Sequence, residues 1–115
     1  VAVLHRAGAR ILSFDQSLLE PGQLDDLGAA VDDGVSLAFG VLPSSAPPAG
    51  PEQVAAAAVR QVREVWAALG FAPSVAAEHT LVTPTCGLAG ADAPWARQVT
   101  TLSSTVADRL ADLAD

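Results

Sequence analysis

Two short apolar runs separated by one long amphipathic segment constrain this chain more than any other feature. Val35-Ser-Leu-Ala-Phe-Gly-Val-Leu42 is apolar on both faces, and Thr80-Leu-Val-Thr83 is short, β-branched and apolar. Both suit strands buried in a parallel sheet. Between them Ala55, Val59, Val62, Trp66 and Leu69 recur at steps of four, three, four and three residues, which places them on one stripe of a helix. Pro51 pre-sets the first turn of that helix, Glu52 lies at its positive end, and Gly70 follows the last apolar position. Strand, crossover helix and strand make a parallel pair.

The same alternation runs through the rest of the chain. Ile11-Leu-Ser-Phe-Asp15 reads as a strand, and Leu24, Leu27 and Val31 define a helix within Pro21 to Gly34. Asp25 and Asp26 favour the positive end of that helix, and Gly34 is placed to end it. A final helix begins near Asp92, with Trp95, Val99, Leu102, Val106, Leu110 and Leu113 at helical spacing. Val1-Ala-Val-Leu-His5 reads as a further strand, closing in a histidine. Only Arg6 to Arg10 separate it from Ile11, too few for a parallel crossover of about a dozen residues. Either the two segments form a hairpin over Ala7-Gly8-Ala9, or residues are missing near positions 5–7. Arg6-Ala7-Gly8-Ala9 is similar to the end of a crossover helix, which favours the second.

The expected fold class is therefore α/β, with parallel strands alternating with helices, in one domain fragment over residues 1–115. Four strands cannot close an eight-stranded barrel of about 250 residues. The carboxyl-terminal half of a (β/α)8 TIM-type barrel is the most economical reading, and a free-standing open sheet of flavodoxin-like size is the structural alternative.

The formal charge of −7, with six arginines and no lysine, has the wrong sign for a nucleic-acid or anionic-membrane surface. The apolar residues fall in blocks shorter than a membrane span of about 18 residues, and Val1 to Leu4 is too short for a signal peptide. The expected location is cytoplasmic. The absence of methionine at position 1 predicts that the sequence starts inside a longer polypeptide.

Three residues of metal-ligating type, His5, Asp15 and Cys86, close three of the expected strands. In a parallel barrel such ends converge on one mouth. Each has a plainer reading: His5 as a hydrogen-bonded structural residue, Asp15 as the cap of a turn with Gln16 and Ser17, and the single cysteine as a small buried hydrophobe. His79 precedes its strand, so it is expected at the end opposite Cys86. Ser44 and Ser45, in the loop from Pro43 to Pro51, could bond a substrate or water.

Val82-Thr-Pro-Thr-Cys-Gly-Leu88 resembles the last strand and Cys-Gly-Leu turn of the cobalamin-independent methionine synthase family, in which a cysteine at that place is a zinc ligand. On the same likeness His5 takes the place of the family's zinc histidine. Asp15 takes that of its acidic ligand, a glutamate in the best-known members. The family's second cysteine would fall at position 7, where this chain has Ala7. Family members also carry an Asp-Ile-His-Ser segment after the third strand, with a histidine thought to protonate the departing folate. Gly40-Val-Leu-Pro-Ser-Ser45 has neither the acid nor the histidine.

The resemblance implies a zinc-dependent S-methyltransferase that makes methionine from homocysteine with a methylated folate as donor. It implies His5, Asp15 and Cys86 as zinc ligands, and the rest of the barrel supplied by a preceding stretch of chain. The missing Asp and His favour a related barrel enzyme with a corrinoid or other methyl donor. Ala7 favours a degenerate, metal-free barrel half acting in protein association. A hydrolase with Cys86 as nucleophile would have to use His5 as its base.

Overall fold

A computed structural model describes residues 1–113. The chain runs α1 (Ala2–Arg6), β1 (Ile11–Asp15), α2 (Leu24–Asp32), β2 (Ser36–Leu42), α3 (Pro51–Leu69), α4 (Pro73–Glu78), β3 (Thr80–Pro84) and α5 (Ala93–Asp112). Short 3-10 turns at Gln16–Leu18 and Pro21–Gln23 link β1 to α2. No helix among the described residues is long and apolar enough to cross a membrane.

The expected strand over Val1–His5 is a helix, and the sheet among the described residues accordingly has three strands. The reason lies in Gly8. It takes φ +91°, a left-handed conformation that residues with a Cβ rarely adopt. From there the Gly8 amide bonds the His5 carbonyl at 3.0 Å and the Ala9 amide bonds the Leu4 carbonyl at 3.1 Å. Those two bonds close a Schellman cap on α1. The same device ends α2, where Gly34 (φ +88°) donates to Val31 and Val35 donates to Ala30. Neither a hairpin nor missing residues are needed to join His5 to Ile11, because the preceding segment is the short helix α1, which delivers the chain into β1.

All strand pairs are parallel, in the order β1-β2-β3. Leu12, Leu37 and Thr80 lie in one row across the sheet, and Phe14, Phe39 and Val82 in the next row on that face. This face carries the core. Leu27 and Val31 of α2, Val62 and Trp66 of α3, and Val99 and Val106 of α5 all pack into the same cluster as Leu12, Leu37 and Phe39. Phe39 is fully buried, with the Phe14 ring edge-on at 5.1 Å and Trp66 at 6.1 Å between centroids. Trp66 also donates its indole N–H to Thr80 Oγ1 at 2.9 Å, which pins α3 to the start of β3.

The other face carries none of these helices, and its exposure is uneven, with Ala38 and Gly40 of the central strand buried and the flanking strands open. Its side chains come from the alternate rows, Ile11, the Ser13–Ala38–Leu81 row, and the Asp15–Gly40–Thr83 row. Ile11 is 55% exposed and Leu81 43%, although both are large and apolar. Strands taken in sequence order with their helices on one face form a singly wound sheet. A doubly wound fold requires a reversal of strand order, and there is none among the described strands.

Candidate functional site

Ligands of parallel α/β folds bind at the carboxyl ends of the strands, so that edge is where the site-forming residues should gather. Here it is formed by Asp15, by the loop that follows Leu42, and by the turn that follows Pro84. Asp15, Gly40 and Thr83 occupy one row of the sheet. Past that row β2 is irregular between Gly40 and Leu42, and the Thr85 amide extends the ladder by bonding the Leu42 carbonyl at 2.8 Å.

Gly40 makes the meeting possible. A Cβ at that position would stand 2.8 Å from the Phe14 carbonyl oxygen, 3.2 Å from Thr85 Cα and 3.3 Å from Asp15 Cα. The chains on both sides therefore close over a space that only glycine leaves. Asp15 and the Thr85–Cys86 turn become neighbours across it.

Each side chain at this edge has a defined setting. Asp15 caps the 3-10 turn that follows it, its Oδ1 accepting from the Ser17 amide at 2.9 Å and from the Ser17 hydroxyl at 2.6 Å. The turn-capping role considered for Asp15 is thus present, and it engages one carboxylate oxygen. Cys86 is a free, exposed thiol, which removes the reading of it as a buried core residue. Ser44 Oγ and Thr85 Oγ1 are 3.0 Å apart, a hydroxyl pair that ties the β2–α3 loop to the turn bearing Cys86. Trp95 closes the edge from outside by donating its indole N–H to the Pro43 carbonyl at 3.0 Å.

His5 lies elsewhere. With Ala2–Arg6 helical rather than extended, the His5 ring falls at the amino edge of the sheet, where Nε2 is 2.7 Å from Asp33 Oδ2. Asp33 is the carboxyl cap of α2, so the contact joins the ends of two consecutive helices. His79 lies at the same amino edge, as its place before β3 led one to expect, with Nδ1 3.3 Å from Ser36 Oγ. The structure brings Asp15 and the Cys86 turn together and does not bring His5 to them.

As a set of three, His5, Asp15 and Cys86 do not fit a zinc ion, because an edge-to-edge sheet separates the first from the other two. Among the described residues no three His, Cys, Asp or Glu side chains are grouped to hold a metal. Two features of the edge escaped the sequence reading: the Ser44–Thr85 pair and the role of Gly40. A glycine inside an otherwise apolar strand was the available signal for the second, since it marks a close approach of backbones.

No protein-family model, no curated protein and no solved structure matches the chain.

Proposed function

We propose that this chain is part of a TIM-type barrel, its carboxyl-terminal half, and that the barrel is a thiol methyltransferase working at the edge where Asp15 and Cys86 lie. The observation that carries the reading is the convergence of Asp15 and the Cys86 turn on Gly40 at the carboxyl ends of parallel strands. Two properties of the fold support the barrel. The sheet is singly wound with every packed helix on one face, and the opposite face exposes Ile11 and Leu81 as a barrel wall exposes residues to its interior before closure.

In this reading Asp15 and Cys86 are two donors of a zinc site whose other donors come from outside these 115 residues. Zinc held at such an edge would lower the pKa of a bound thiol, which is the chemistry that methylation of homocysteine sulfur requires. Cys86 is then a ligand and not the attacking group. Asp15 keeps one oxygen free for the metal while Ser17 holds the other.

The placement of His5 against Asp33 favours a second reading, a metal-free barrel half that acts in protein association. An assay on the proposed full barrel separates the two. Homocysteine is supplied with a methylated folate in one arm and a methylated corrinoid in another, and methionine is measured. Methionine in the folate arm supports the first donor, and methionine in the corrinoid arm alone supports the related enzyme suggested by the absence of acid and histidine after Leu42. No methionine in either arm, with the zinc content verified, sinks the methyltransferase reading.

A further inference from the structure

A cleft of about 300 Å3 opens between α3, α4 and the end of α5, on the helical side of the sheet and near the amino end of β3. Trp66 and Phe71 form its aromatic wall, edge-to-face at 5.9 Å between centroids, and Val62, Leu110 and Leu113 add aliphatic surface. Trp66 and Val62 are 5% and 1% exposed, so the floor belongs to the core rather than to a surface furrow. The size falls at the lower end of the range for small-molecule sites, about 300–1,000 Å3.

The polar groups in the cleft already have partners. The Trp66 N–H donates to Thr80 Oγ1, and the Thr80 hydroxyl donates to the Ala76 carbonyl at 2.6 Å. No buried side-chain nitrogen or oxygen among the described residues is without a partner. A ligand with hydrogen-bonding groups along its body would find nothing there to replace its water. An apolar body would lose nothing by entering.

Among the described residues that line the cleft, one is charged. Arg63 lines the cleft, is exposed, and takes part in none of the ion pairs among the described residues, which join His5 to Asp33, Arg60 to Glu64 and Arg109 to Glu52. On a chain of formal charge −7 a cation at the mouth of an apolar cleft gives anions a local attraction that the rest of the surface opposes. We infer that the cleft is a binding site for a small amphiphilic monocarboxylate, its alkyl or aryl body against Trp66 and Phe71 and its carboxylate at Arg63. The inference rests on the cleft alone and is independent of the barrel reading.

The test uses octanoate, 3-phenylpropionate and the uncharged 1-octanol as probes, with calorimetry for affinity and two-dimensional NMR for location. Expected are saturable one-to-one binding of an acid and shifts at the Trp66 indole and Phe71. Arg63→Gln should weaken the acid about three- to fivefold, the range of an exposed ion pair, and leave 1-octanol unchanged. The tighter of the two acids tells an alkyl ligand from an aryl one. Ala77→Phe, at another lining residue, should fill the cleft and abolish binding in a protein whose circular dichroism is unaltered. The inference is overturned if neither acid saturates in the millimolar range, if Arg63→Gln binds the acids as tightly as the parent, or if a folded Ala77→Phe protein still binds them.

Discussion

Asp15 and Gly40 are partners in register across β1 and β2, and Asp15 Cα lies 3.3 Å from where a Cβ on residue 40 would stand. The absence of one methyl group on the central strand thus sets the geometry of the carboxyl edge. Its neighbours there are backbone atoms, the Phe14 carbonyl and Thr85 Cα, which cannot swing aside as a flexible side-chain end can.

Gly40→Ala should therefore destabilise the fold by about 1–3 kcal/mol, the cost of overpacking a closed interior. Urea unfolding monitored by Trp fluorescence measures it. Ser13→Ala, on the same face but exposed, should change stability by less than about 0.5 kcal/mol and serves as the control. Equal effects of the two would contradict the close approach at Gly40.

Gly8 and Gly34 present a different case, because nothing lies within 4 Å of a Cβ added at either. Their cost on substitution is purely conformational. Gly8→Ala and Gly34→Ala should each lose about 1–2 kcal/mol, the penalty for a left-handed residue with a Cβ. Gly22→Ala, which also has open space but no positive φ, should be neutral in the same titration.

Arg109 grips Glu52 through both guanidinium nitrogens at 2.9 and 2.8 Å, joining the end of α5 to the start of α3. The hydrogen bonds to Arg109, and then its charge, hold the Glu52 carboxyl below its usual range. A carboxyl depressed in the folded state adds stability above its unfolded pKa of about 4.3, and that stability is lost as pH falls through the lower folded value. Unfolding midpoints at pH 7 and pH 3 should differ more in the parent than in Glu52→Gln. The pair is exposed, so the difference should be small and should shrink in 1 M salt.

The sheet face without helices offers a test of the barrel. In the isolated 115-residue chain Leu81→Asp should be tolerated within about 0.5 kcal/mol, because residue 81 already faces solvent. In a longer polypeptide that covers this face the same change buries an unpaired carboxylate and should cost several kcal/mol. Equal tolerance in both proteins would count against closure of a barrel over this face.

The alternation of apolar runs and helical stripes made β1, β2, β3 and the long helices legible, since burial of Phe39, Trp66 and Val99 depends on periods that any sequence displays. Val1–His5 was the exception. Four apolar or small residues and a histidine carry no period, and the deciding signal was the glycine three positions beyond His5, which caps a helix and has no use at that distance from a strand. The site was legible only in part for the same reason. Once that segment is helical, His5 moves to the opposite edge of the sheet, while Asp15 and Cys86 follow strands whose direction the sequence does specify. The short helix α4 is started by Pro73 at its first position, a signal as brief as the element itself.

Zinc content of the proposed full barrel, parent beside three single variants, tests the carboxyl-edge site most directly. The account predicts near one zinc per chain in the parent, a large loss in Cys86→Ser and in Asp15→Asn, and no loss in His5→Ala, whose ring belongs to Asp33 at the other edge. A parent that takes up no zinc under reducing conditions, or a His5→Ala protein that loses it while Cys86→Ser retains it, would contradict the account.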